Sequence, residues 1–165
     1  SMTKQTLLNF INQHPADYYI HCGDIYMPYS PLEIDNFYNV RGNNDFADIP
    51  KDLTLTIDGL NFFICHGHLF HIDESMYDLE QYALNHKIDV VCFGHSHNPT
   101  CYKKENTLFI NPGSVTFPRG NYPHPTYCIF DTENHEVQFY DLKENQPCNP
   151  FEVKKKESFF KRFFK

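Results

Sequence analysis

Apolar residues along this chain fall into short runs broken by glycine, proline and polar clusters, and only two stretches show helical spacing. Thr6 to Gln13 is one: Leu7, Leu8, Phe10 and Ile11 form an apolar face, and Pro15 ends it. Met76, Leu79 and Ala83 mark the other, which ends near His86. Elsewhere the pattern predicts strands over Tyr18–Cys22, Phe37–Val40, Leu53–Ile57, Leu60–Cys65, Ile88–Cys92, Thr100–Lys103, Leu108–Ile110, Tyr127–Phe130 and Glu136–Tyr140. Asp58-Gly59 is a hairpin signal between two of them, and Glu133-Asn134 joins the last pair. Pro28 to Asp35 reads as loop and the start of a weak helix.

Composition narrows what such a chain can do. Its 165 residues suit one core rather than two, over 1–150, followed by a tail at 151–165 that turns abruptly to Lys, Arg and Phe. A net charge of -7 argues against a general nucleic-acid binder, although bound divalent cations could reverse the field locally for a small phosphate ester. The six cysteines include no C-x-x-C pair, which excludes a zinc ribbon or a thioredoxin motif. Cys22, Cys65, Cys92 and Cys128 sit in or beside apolar runs, as buried free thiols do, so the expectation is a reduced, cytoplasmic protein. No apolar stretch has the length of a transmembrane segment and no signal peptide opens the chain; Ser1-Met2 reads as a cloning remnant.

Candidate chemistry gathers where strands end. Gly23-Asp24 follows the first, Asn43 and Asn44 lie just past the second, His66-Gly67-His68 follows Cys65, and Gly94-His95-Ser96-His97 follows Cys92. On an extended backbone, residues i and i+2 point the same way, so His95 and His97 could converge on metal. A carboxylate, an amide oxygen and imidazoles form a mixed N/O donor set for Mn²⁺, Fe, Zn²⁺ or Ni²⁺, and the set favours two ions over one. Each cue also has a plainer explanation: Gly-Asp as a turn, a surface His pair, Arg119 paired with a surface carboxylate, Ser114 as turn chemistry.

Taken in order, these motifs resemble the calcineurin-like metallophosphoesterases, in particular their small single-domain YfcE-type phosphodiesterases, which share a fold with a retromer subunit. Asn111-Pro112-Gly113-Ser114 with Pro118-Arg119 is similar to the same subgroup, and the resemblance spans about residues 6 to 142. It implies an α/β fold with two mixed β-sheets in a sandwich flanked by helices. It also implies a hydrolase for a phosphodiester or an activated phosphomonoester, using two divalent ions, Mn²⁺ first among them. Asp24 would bridge both ions, Asn43, His66 and His95 would complete one, and His97 would belong to the other. A hydroxide between the ions would attack phosphorus in line. His68 would lie beside the site, and Arg119 would reach substrate oxygens.

The chain departs from the family twice. Larger relatives carry His where Asn44 stands; an amide cannot act as a general acid, which points to diesters or good leaving groups. The family also opens with a strand ending in Asp-x-His, and nothing like it precedes Thr6. Truncation is the favoured explanation and genuine loss the other. On either, the fold is expected to lack its first strand and to hold metal poorly.

The rival of another class is a phosphoesterase-fold binding module without catalysis. His66, His68, His71 and Asp73 faintly resemble a metallo-β-lactamase motif, but the spacing fails, and His71 and Asp73 read as surface residues of a helix entry. His14 and Asp17 lie at the wrong end of their helix to replace the absent pair. The expected partner is a small phosphate ester, with homo-oligomer formation left open. The four phenylalanines of Ser158–Lys165 could lie on a membrane or a partner, although packing on the domain is the simpler expectation.

Overall fold

The structure is a computed structural model that describes residues 4–26, 34–46 and 48–152. The expectations for Ser1-Met2, for the loop at 28–33 and for the basic aromatic tail lie outside the described residues. In chain order the elements are α1 (Lys4–Gln13), β1 (Tyr19–His21), β2 (Phe37–Asn39), β3 (Asp52–Ile57), β4 (Leu60–Cys65), α2 (Tyr77–Asn85), β5 (Val90–Cys92), β6 (Thr100–Lys104), β7 (Thr107–Asn111), β8 (Thr126–Phe130), β9 (Val137–Asp141) and β10 (Gln146–Cys148). Between β4 and α2 the chain makes a single 3₁₀ turn, His68–Phe70.

The centre is a five-stranded sheet in the order β3-β4-β5-β7-β6. Its inner strands β4, β5 and β7 run parallel, and its edges β3 and β6 are antiparallel hairpin partners. The last four residues of β4 and all of β5 are buried, because both faces of this sheet are covered. That is why these strands read as continuous apolar runs rather than alternating ones. On one face Phe62, Ile64, Val90, Cys92 and Ile110 pack with Cys22 and Val40, against Cys128, Phe130 and Val137. On the other face Phe63, Val91 and Phe109 meet Leu79 and Ala83 of α2.

The opposing layer of the sandwich is built in two pieces. One is the parallel pair β1-β2, the other the antiparallel sheet β10-β9-β8, and both contribute side chains to the same core. Helix α1 lies outside this layer, where Phe10 meets the Tyr127 ring edge-on at 4.9 Å. The described sheets are thus three, with the mixed one at the centre. The Asp58-Gly59 turn has positive φ at both residues (51° and 79°), as a tight hairpin between twisted strands requires. Strand β10 was not foreseen: Gln146-Pro147-Cys148 has no apolar alternation, and its proline is tolerated because the strand is the edge of its sheet.

Candidate metal centre

Four loops that follow strands deliver the polar residues: Asp24 after β1, Asn43 after β2, His66 after β4 and His95 after β5. Their donor atoms meet. Asn43 Oδ1 lies 3.0 Å from both His66 Nε2 and His95 Nδ1, and the two nitrogens are 3.3 Å apart. Asp24 Oδ2 is 3.4 Å from His66 Nε2. Atoms sharing one ion at about 2.1 Å sit roughly 3.0 Å apart in octahedral and roughly 3.4 Å apart in tetrahedral coordination. Among the described residues no three His, Cys, Asp or Glu side chains form such a cage unaided. The set closes only through the Asn43 amide oxygen.

The protonation of the two rings is dictated by what lies behind them. His66 Nδ1 donates to the Cys22 carbonyl at 2.6 Å, and His95 Nε2 donates to Asp73 Oδ2 at 2.7 Å. In the neutral ring the opposite nitrogen is then a bare acceptor. Burial holds the His66 pKa below its usual value, outweighing the Cys22 hydrogen bond and the Asp24 charge, so the ring is neutral near pH 7. With the rings in these tautomers, the lone pairs of His66 Nε2, His95 Nδ1 and Asn43 Oδ1 face one another beside a carboxylate. This is the chemistry of a cation site.

Asp24 is itself held. The Asn44 backbone N–H donates to its Oδ1 and the Asn44 side-chain amide to its Oδ2, each at 2.8 Å. Buried Asp45 accepts from the backbone N–H groups of Asp24, Tyr26 and Gly42 at 2.7, 3.2 and 2.8 Å, tying the loops after β1 and β2 together. These loops touch closely: a Cβ on Gly42 would stand 2.0 Å from Asp24 Oδ1. Asp24, His95 and His97 all have positive φ (57°, 65° and 58°), a backbone strain shared with turn residues elsewhere in the fold such as Asp58 and His135.

That strain corrects one expectation. His95 and His97 do not project from an extended strand; each sits in a left-handed turn. They line one cavity of about 530 Å³ together with Asp24, Asn43, Asn44 and Arg119. His97 Nδ1 donates to the Phe117 carbonyl at 2.9 Å, outside the four-donor cluster. His68 stands beside the cluster, its ring centroid 5.3 Å from that of His66 and 6.0 Å from that of His95. Burial, reinforced by those two rings, lowers its pKa, and its Nδ1 is buried without a hydrogen-bond partner among the described residues.

Arg119 makes no ion pair among the described residues, against the plainer reading, and its N–H donates to the His97 carbonyl at 3.0 Å. Ser114 is turn chemistry as expected: its Oγ accepts from the Phe117 N–H at 2.9 Å. Three contributors were missed. Asp73 is not idle surface but orients His95, Asp45 braces the loops, and fully buried Asn111 donates to the Gly94 carbonyl and to Ser96 Oγ. Asp73 had no local signal, being 22 residues from its partner.

Comparison with known proteins gives the family and the fold. The family model described as calcineurin-like phosphoesterase superfamily domain matches residues 2–135. The probable metallophosphoesterase YsnB of Bacillus subtilis is 34% identical over 148 residues, covering 87% of each chain. A predicted phosphoesterase of Streptococcus pneumoniae superimposes with a TM-score of 0.79 at 26% identity, over 89% of this chain and 87% of that one. A Vps29 double mutant from Entamoeba histolytica shares the fold at 17% identity and a TM-score of 0.72, over 90% of this chain and 87% of that one.

Proposed function

The chain belongs to the calcineurin-like phosphoesterase superfamily, and from that premise we propose that it hydrolyses a phosphodiester, or a phosphomonoester with a good leaving group, with divalent cations held by its own side chains. The reading is carried by the convergence of Asn43 Oδ1, His66 Nε2, His95 Nδ1 and Asp24 Oδ2 within 3.4 Å of their neighbours, each imidazole bonded through its other nitrogen. These four would hold one ion; His97, on the same cavity wall, would serve a second with Asp24. Mn²⁺ is the ion we assign first, since nitrogen and hard oxygen donors are mixed and thiolates absent. Divalent cations there would polarise a phosphoryl oxygen and acidify water.

The protein's own part is positioning. Cys22 and Asp73 orient the two imidazoles, Asn44 fixes the Asp24 carboxylate, and the Arg119 guanidinium offers a flat donor fork to phosphate oxygens. Asn44 has no proton to give a leaving oxygen, which favours diesters and activated esters over simple alkyl monoesters.

Hydrolysis of bis(p-nitrophenyl) phosphate in Mn²⁺ tests the proposal. At saturating Mn²⁺, which offsets weak retention of the ions, turnover should appear in the wild type, disappear with a chelator and fall to background in Asp24→Asn. An Asp24→Asn protein as active as the wild type would sink it, and inactivity of a metal-saturated wild type would favour the non-catalytic binding module.

A further inference from the structure

The cavity is larger than a phosphate group needs. Its volume of about 530 Å³ falls in the range of pockets that enclose a whole small molecule. Two aromatic residues, Tyr26 and Phe117, line it from separate loops and remain 49% and 56% exposed. Neither stacks on another ring among the described residues. Both backbones are nevertheless tied down. The Tyr26 N–H donates to buried Asp45, the Phe117 N–H to Ser114 Oγ, and the Phe117 carbonyl accepts from His97. These are aromatic residues placed at the cavity by bonded loops, with ring surface left uncovered.

What else lines the cavity selects among ligands. Among the described residues, Tyr26, Phe117 and Pro118 are its apolar lining, and no Leu, Ile, Val or Met takes part. Among these residues an acyl or alkyl chain would find only the proline ring as aliphatic surface. A planar ring with polar edges would stack on the aromatics and leave its edges to amides and water. Arg119 is the one Lys or Arg in the lining among the described residues, and the whole chain carries -7, so a polynucleotide with many phosphates is disfavoured.

We infer that this site takes a nucleoside phosphodiester of mononucleotide size, with the base resting on Phe117 and Tyr26 and the phosphate directed to Arg119 and the Asp24–His95 cluster. The inference rests on the phosphoesterase reading for the phosphate end and adds the chemistry of the other end. Exposed rings can be removed at little cost in stability, so Phe117→Ala and Tyr26→Ala remain folded reporters.

Calorimetric titration of the Mn²⁺-supplied protein with AMP and with ribose 5-phosphate separates the base from everything else. The wild type should bind AMP about tenfold tighter. Phe117→Ala and Tyr26→Ala should each erode that preference while leaving the ribose 5-phosphate affinity as it was. Equal affinity for the two ligands in the wild type, or a preference that survives the double substitution, overturns the inference. If AMP is preferred but neither a nucleoside 2′,3′-cyclic phosphate nor bis(p-nitrophenyl) phosphate is hydrolysed, the hydrolytic reading falls and base recognition stands. Hydrolysis of the aryl ester without any base preference does the reverse.

Discussion

His66 and His95 each spend one nitrogen on a rigid acceptor, and that expenditure makes the other nitrogen useful. For His66 the acceptor is a backbone carbonyl, which mutation cannot easily remove. For His95 it is the exposed side chain of Asp73. Asp73→Ala should therefore fold normally yet weaken Mn²⁺ binding by about 10–100-fold, read by equilibrium dialysis. Unchanged affinity would mean that His95 is positioned by the left-handed turn alone. The residues whose donor atoms meet were legible at this scale, since Asp24, Asn43, His66 and His95 each follow a predicted strand. Asp73 and Asp45 were not, because their roles are contacts with groups about twenty residues away.

At the scale of elements, the parallel strands set the site and a loop closes it. The segment between β7 and β8 carries Phe117 and Arg119 to the cavity, and it is stapled at its far end to Asp141 of β9. Tyr122 Oη donates to Asp141 Oδ2 at 2.7 Å, His124 Nδ1 meets the same oxygen at 2.5 Å, and the Lys143 and Glu144 N–H groups donate to Oδ1 at 2.9 Å. Burial alone would raise the Asp141 pKa, but the hydrogen bonds from Glu144, Tyr122 and His124 outweigh it and hold the pKa at about 2. Asp141→Ala should cost about 3 kcal/mol in urea unfolding, since four part-buried donors lose one buried acceptor. A loss below about 1 kcal/mol would show that the loop is held elsewhere. The hairpins and both helices were readable from spacing. The short edge strand β10 was not, for three residues with a central proline carry no period.

For the whole molecule, stability should rise with pH through the mildly acidic range. Burial lowers the His21 pKa from 6.5 to about 4. Between those values the unfolded chain binds a proton that the folded chain refuses. The contribution is complete above pH 6.5 and is lost as pH falls toward 4, roughly 3 kcal/mol in all. Urea midpoints measured from pH 7.5 to 4.5 should fall accordingly, and His21→Asn should flatten the slope; an unaltered slope would remove His21 as its cause. The sequence by itself determined the strands other than β10, the two helices and the donor types waiting at strand ends, because apolar period and turn residues are local properties. Tertiary structure alone decided that the outer layer comes in two pieces, which nitrogen each histidine offers, and that His95 meets Asn43 across 52 residues of chain. Those outcomes depend on strand order and register, which bring distant atoms within 3.4 Å and leave no trace in the spacing of neighbours.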